Sequence, residues 1–462
     1  MKILKYAAVL IACVIAAAVG WVIVSPPDLF RVGSNYSAKI ICSNVFLASR
    51  DPAQVLEVDV QAPGHPLLKL MEVDVDHNKG VVKAALFGFI SEGMSAYRAG
   101  FGCTPVPDGN LAAVTPVPTA SPVAQPNDQL DWPQGSRATN QTGAQSYPKL
   151  ETVLANDDLA GPGMRAIVVV KDGKIVGERY AAGFGPQTPM LGWSMAKTVT
   201  AALVGRLIQQ DSIKLSANGL FDHWASDNRK NIQLQDLLGM ASDLNWNEGY
   251  GAVSDVTRML FLEPDMAALA TAPTLIEGSG AQIGKNFDYS SGTSVALVRY
   301  LQDLQTSRDD GLLLAHQNLF APLGMSSAVI EPDARGTLVG GSFMYASARD
   351  WARFGQFLLQ KGNWQGSQLL PAGFVDWMIQ PHPAGRSGRY GRGHVWIAPP
   401  GSGRSGSNPP FLHKAFWLAG HDAQSVGILP GENLVIVRLG LTPSKLRYKP
   451  ARLANAVVDA LN

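Results

Sequence analysis

Gly192-Trp193-Ser194-Met195-Ala196-Lys197-Thr198 opens a run that stays largely apolar as far as Gln209, and how these residues are read decides the fold. From Thr198 to Gln209 nearly every helical face is apolar, so the segment is expected to be a helix buried on all sides. A serine at the start of such a helix sits at its positive end, where the first backbone N–H groups lack intrahelical partners. A lysine three residues later falls on the same face, within reach of the serine hydroxyl. Serine is a poor nucleophile until a base takes its proton, and a lysine desolvated by apolar walls loses enough basicity to serve. Ser-x-x-Lys alone is a weak signal, because Ser194 also reads as a helix cap and Lys197 as a snorkelling side chain. Ser146-Tyr147-Pro148-Lys149 matches the same pattern, but no buried helix follows it.

The flanks of this run supply strands. Ala166-Ile167-Val168-Val169-Val170 and Ile175-Val176-Gly177 are joined through Asp172-Gly173, a strong hairpin signal. A second strand pair is read over 424–429 and Leu434–Leu439, joined by Pro430-Gly431-Glu432-Asn433, and a helix over 451–461 ends the chain. Antiparallel strands at both ends with helical segments between them argue an α+β fold rather than a βαβ series.

Several ordered blocks carry a family resemblance. Arg179-Tyr180 and Gly192–Thr198 come first, then Ile232-x-Leu234-x-x-Leu237-Leu238-x-Met240-x-Ser242. Pro322-Leu323-Gly324-Met325 and Ala348-Arg349-Asp350-x-x-Arg353-Phe354-Gly355 follow. Over about residues 150–440 the chain resembles the serine β-lactamase and penicillin-binding-protein-like hydrolases. Within them it looks most like the 6-aminohexanoate-dimer hydrolase and class C-type esterase branch. The resemblance implies a β-lactamase/transpeptidase-like α+β fold, an antiparallel sheet flanked by helices with an all-helical region. It makes Ser194 the nucleophile and Lys197 its base.

The family's Tyr-x-Asn motif falls on Tyr289-Ser290-Ser291, 95 residues after Ser194, with Tyr289 sharing the proton and Ser291 in the usual place of asparagine. The Lys-Thr-Gly motif is missing. Its place is taken by Ala415-Phe416-Trp417 and Leu418-Ala419-Gly420-His421, so Trp417 and Gly420 are expected at the substrate with His421 lining the cleft, against a structural or surface role for that histidine. A backbone N–H from 416–421 is expected to complete an oxyanion hole with that of Ser194. Tyr250 matches the substrate-facing tyrosine of that branch, although a packing role competes. Both departures, Ser291 and the lost lysine, argue against efficient β-lactam hydrolysis. The resemblance implies cleavage of a carboxylic ester or small linear amide without a cofactor. A D,D-peptidase or β-lactamase activity and an idle relative that binds cell-wall peptides are the competing readings.

The N-terminus carries Lys2 and Lys5 ahead of Tyr6–Val24, nineteen residues without a charge that end at Ser25-Pro26-Pro27. That length spans a hydrocarbon core as a helix, and the flanking lysines place the rest of the chain on the periplasmic side of an inner membrane. A cleaved signal peptide and a lipoprotein box ending at Cys13 are the rival readings. Cys42 and Cys103 remain for the exported part, where a disulfide is expected and two free thiols are the alternative. Val55–Val60 and Leu70–Val75 show strand-like alternation. The expected organisation is an anchor or signal over 1–30, a small α+β domain over 31–104, a proline-rich linker over 105–136 and a hydrolase domain over 137–462.

The chain has 462 residues with 38 Lys+Arg against 37 Asp+Glu, and only 16% are charged. That excludes both a highly charged disordered chain and bulk electrostatic binding of nucleic acid. The eight histidines include no His-Glu-x-x-His, so no metal is implied. Ser226-Asp227-Asn228 and Gly401-Ser402-Gly403-Arg404-Ser405-Gly406 spell known motifs in the wrong frame, and both read as loops. Arg386, Arg389, Arg392 and Arg404 read as a solvated rim. A small-molecule substrate and the membrane are the expected partners, with the number of subunits open.

Overall fold

The computed structural model describes residues 6, 10, 20–62, 64–138, 147–276, 282–385, 388–400 and 414–462. Most of the Tyr6–Val24 run, Cys13, Ser146, Arg386 and the 401–406 glycine pattern with Arg404 lie outside them. Among the described residues no helix is long and apolar enough to cross a membrane. The chain forms two compact units, one of Met1–Arg98, Cys103–Val114 and Gly249–Pro264, the other of Ala99–Gly102, Thr115–Glu248 and Asp265–Asn462.

The first unit is built on α1 (Asp28–Ala48), which runs along a four-stranded sheet of β1 (Met71–Asp76), β2 (Val81–Leu86), β3 (Ile90–Arg98) and β4 (Gly102–Pro105). The buried face of α1 holds many polar side chains, and each needs a partner. Ser37 Oγ donates back to the Gly33 carbonyl at 2.8 Å and Asn44 Nδ2 to that of Ile40 at 2.9 Å. Cys42 of α1 is joined to Cys103 of β4 by a disulfide. Leu70–Val75 falls largely on β1, but Val55–Val60 is helical rather than extended, an α turn over Pro52–Val55 followed by a π turn over Leu56–Gln61. Asp51 caps that helix by accepting from the Gln54 N–H, and Pro52 occupies its first position. Those start signals outweighed six residues of alternation.

The second unit contains α2 (Pro148–Ala155), β5 (Met164–Lys171), β6 (Lys174–Tyr180), α3 (Ala196–Gln209), α4 (Ser291–Asp303), α5 (Ala348–Leu359), β7 (Phe416–Gly420), β8 (Gln424–Leu429), β9 (Leu434–Gly440) and α6 (Pro450–Leu461). The sheet order is β7-β8-β9-β5-β6, all antiparallel, so strands from the two ends of this unit meet at Val437 opposite Val168. Alternation divides β5 between two cores. Ala166, Val168 and Val170 join α3 and α5 in one cluster, while Ile167 and Val169 join Leu150 and Leu154 of α2 and Leu453 and Val457 of α6 in the other.

Residues 127–138 are fastened to this unit by the block Ala348-Arg349-Asp350-x-x-Arg353. Arg353 donates to the carbonyls of Pro133 and Gly135, and Arg349 to that of Ser136 at 2.6 Å. Arg349 also pairs with Glu178 of β6 at 2.6 Å, where both side chains are nearly inaccessible to water. Trp132 is buried beneath the Arg353 guanidinium.

Candidate active site

Ser194 sits in a single 3-10 turn, Trp193–Met195, that runs straight into α3. Trp193 has φ +49°, a left-handed conformation that costs a non-glycine residue about 1 kcal/mol or more and marks functional turns. Gly192 must be glycine here, because a Cβ on it would lie 2.3 Å from the Trp351 ring. One helical turn past Ser194, Lys197 is almost completely buried, and its Nζ has three partners. They are Ser194 Oγ at 3.2 Å, Ser291 Oγ at 2.9 Å and the Gly341 carbonyl at 2.8 Å.

The donors in this network depend on the charge of Lys197. The Gly341 carbonyl only accepts. The Ser291 hydroxyl gives its proton to Glu248 Oε1 at 2.5 Å, so it accepts from Lys197. A neutral lysine has two N–H groups and one lone pair. As the ammonium, Lys197 donates to all three partners; once neutral, its two N–H groups suffice for Ser291 and Gly341, which leaves its lone pair for the Ser194 hydroxyl. Burial lowers the Lys197 pKa from 10.5 to about 8, against the opposing charge of Glu248. The neutral amine is therefore accessible near physiological pH.

Glu248 is itself held on three sides. Its Oε2 accepts from the Ser291 backbone N–H at 2.8 Å and from Trp246 Nε1 at 2.7 Å, and its Oε1 accepts the Ser291 hydroxyl. The Gly340-Gly341 loop lies close against the helices: a Cβ on Gly340 would sit 2.4 Å from Thr200 Oγ1, and one on Gly341 2.8 Å from the Ser291 carbonyl. Thr200 Oγ1 donates to the Gly340 carbonyl at 2.9 Å, which fixes the loop that presents the Gly341 carbonyl.

Tyr289 completes the group. Its ring lies 4.9 Å from Lys197 Nζ and is boxed by Tyr390 at 6.0 Å and Trp396 at 5.8 Å. Burial and the Glu248 charge push the phenol well above its ordinary 10, while a hydrogen bond with Ser194 pulls the other way. Tyr289 is therefore a protonated hydroxyl beside Ser194. His394, buried under α3 with φ +54°, accepts from Thr198 Oγ1 on its carbonyl and places Nε2 3.1 Å from Ser294 Oγ. Burial, then the Lys197 charge, holds this imidazole down to about 3, so it is neutral.

The end of β7 backs onto the Trp193–Met195 turn, and a Cβ on Gly420 would lie 2.2 Å from the Gly192 carbonyl. His421 is exposed beside Trp193, ring centroids 5.8 Å apart, with Asp422 Oδ1 3.6 Å from its Nε2. Asp422 and Ala423 are both left-handed and close the corner into β8. Trp417 is not brought to this place. Its side chain is buried with Leu429, Leu434 and Leu150 in the other core, and its backbone N–H donates to the Trp396 carbonyl at 2.7 Å. Side chains alternate along a strand, so Trp417 faces away from the turn that Phe416 and Leu418 approach. Tyr250 is exposed and belongs to the first unit.

Ser194, Lys197, Tyr289 and Ser291 thus come together, with Gly420 and His421 beside them. The sequence reading missed Glu248, His394 and Gly341. Glu248 lies two residues before Tyr250 and two after Trp246, and a carboxylate beside a tryptophan that can donate to it was the available signal. Among the described residues no cluster of ligand-type side chains is placed to hold a metal ion.

The β-lactamase family model matches residues 155–457, about two thirds of the chain, and the protein belongs to that family of serine hydrolases. Its fold is shared with a candidate 6-aminohexanoate-dimer hydrolase from Bacillus anthracis, at 19% identity and a TM-score of 0.51, over 76% of this chain and 87% of the other. It is also shared with a candidate β-lactamase from Bacteroides dorei, at 17% identity and a TM-score of 0.52, over 65% of this chain and 94% of the other. No curated protein matches the chain in sequence.

Proposed function

We propose that the protein hydrolyses a carboxylic ester or a small linear amide through an acyl-enzyme on Ser194. The observation that carries this reading is the buried Lys197 Nζ, lowered in basicity, 3.2 Å from Ser194 Oγ. Lys197 takes the hydroxyl proton as Oγ bonds to the substrate carbonyl carbon. The resulting oxyanion is stabilised by the Ser194 N–H and an N–H at the Gly420 end of β7. Tyr289 gives its proton to the leaving oxygen or nitrogen as that bond breaks and regains one from Lys197. Water then attacks the acyl carbon, loses its proton to the same pair and frees Ser194. Gly420 and His421 are assigned to substrate, and Ser291 to holding Lys197.

The absence of a lysine at the position of the third family motif, and serine at 291, favour esters and linear amides over β-lactams. The uncharged Tyr6–Val24 run behind Lys2 and Lys5 supports an uncleaved anchor with the hydrolase unit in the periplasm. The Cys42–Cys103 disulfide suits that oxidising compartment.

A fluorophosphonate probe should label the wild-type protein and leave Ser194→Ala unlabelled. Turnover of p-nitrophenyl butyrate or 6-aminohexanoate dimer, with nitrocefin untouched, is the expected screen. No labelling together with no turnover would reject the enzyme reading.

A further inference from the structure

The first unit carries an apolar feature that hydrolysis does not use. β2 and β3 are joined by Phe87-Gly88-Phe89, and Phe87 is 50% and Phe89 63% exposed. Leu70, whose carbonyl accepts the Phe87 N–H at 2.8 Å, is 40% exposed beside them. Phe87 and Gly88 are both left-handed, at φ +51° and +77°. Glycine and asparagine are the residues that fit such a turn without strain, so phenylalanine at position 87 holds an aromatic ring in water at a conformational cost. Exposed apolar clusters rimmed by polar surface mark contact sites.

The course of α1 shows what lies opposite this turn. Near its start, Ser34 Oγ lies 3.8 Å from Sδ of Met71, the first residue of β1, and Met71 pairs with Leu86, the residue before Phe87. Near its end, Phe46 stacks on Tyr97 at 4.9 Å and meets His77 at 5.7 Å, in the turn between β1 and β2. The apolar turn therefore stands at the end of the sheet where α1 begins, and the polar turn His77-Asn78-Lys79 stands at the other. Just upstream of α1, Trp21, Ile23 and Val24 are exposed at 62%, 45% and 85%. They close the uncharged run Tyr6–Val24, four residues before Asp28.

We propose that Phe87 and Phe89 are a second membrane contact, seated in the headgroup–acyl boundary of the phospholipid layer that the N-terminal segment enters. This rests on the anchor reading above. Aromatic rings are favoured at that depth, and a turn held at the anchor's exit meets the bilayer without further ordering of the chain. The two contacts would fix how the sheet of this unit stands on the membrane, where an anchor alone leaves it to swivel.

The test uses the full chain in phosphatidylcholine vesicles, with Cys13→Ser so that an introduced cysteine is the lone free thiol. A nitroxide on Phe89→Cys is compared with one on Lys79→Cys by power saturation with oxygen and with a water-soluble nickel chelate. Position 89 is expected to favour oxygen severalfold over the nickel complex, and position 79 the reverse. Equal, water-like accessibility at both positions would overturn the proposal, as would a label at 89 shielded from both reagents, which would mean a protein partner. Co-flotation with the vesicles reads the anchor separately. A chain that fails to float rejects the anchor reading and the proposal with it, whereas a chain that floats with a water-exposed position 89 rejects the second contact alone.

Discussion

Glu248 holds Ser291 by two atoms, its Oε2 accepting the backbone N–H at 2.8 Å and its Oε1 the hydroxyl at 2.5 Å. This grip decides the polarity of the whole site. With its proton committed to the carboxylate, Ser291 can offer Lys197 only a lone pair, and the lysine is turned toward Ser194.

Glu248→Gln should separate the two effects of the carboxylate. The negative charge raises the Lys197 pKa, so its removal lowers that pKa and moves the acid limb of the rate profile to lower pH. At the same time Ser291 becomes free to donate to Lys197, and kcat should fall about tenfold or more, the range for losing a hydrogen bond to a charged group. Profiles of kcat/KM against pH for p-nitrophenyl butyrate read both. An unmoved acid limb would show that Glu248 does not tune the lysine.

The wild-type rate should rise with pH through about 8, where Lys197 changes charge. The sign follows from the mechanism, since the base works as the neutral amine. The same shift acts on stability. The folded-state pKa lies below the ordinary 10.5, so the protonated lysine opposes folding below pH 8, and stability recovers as the pH climbs from 8 toward 10.5. Lys197→Met should abolish turnover and flatten that part of the stability curve, as urea titrations across the range would show.

Tyr289→Phe removes the proton donor and keeps the ring between Tyr390 and Trp396. A loss in kcat of about 10²–10³-fold is expected for a general acid, with an unchanged melting temperature. A full-rate variant would mean that Lys197 alone protonates the leaving group.

Arg349→Ala leaves the Glu178 carboxylate buried without its cation and frees the Ser136 carbonyl. Breaking one partner of a buried ion pair costs about 3–5 kcal/mol. Urea unfolding should register that loss, and limited proteolysis should open the chain near residues 131–138. Unchanged stability would mean that water already reaches this pair.

The sequence by itself determined the local parts: the hairpins, the buried helix α3, and the serine and lysine one turn apart on it. These depend on spacing and alternation, which are local properties of a chain. It also determined which blocks follow the β-lactamase family order, and so the fold. Tertiary structure decided what no spacing could. The Gly341 carbonyl reaches Lys197 from 144 residues away, and Ser291 from 94. The side of the sheet that Trp417 faces was settled by strand register, because a shift of one residue exchanges the two faces. Glu248 looked like any acidic loop residue until folding set it against Ser291 and Trp246. Sequence supplied a candidate nucleophile and a candidate base. The direction in which the proton moves between them is a property of the hydrogen-bond partners that distant segments bring, and hydrogen-bond geometry exists only once the chain has folded.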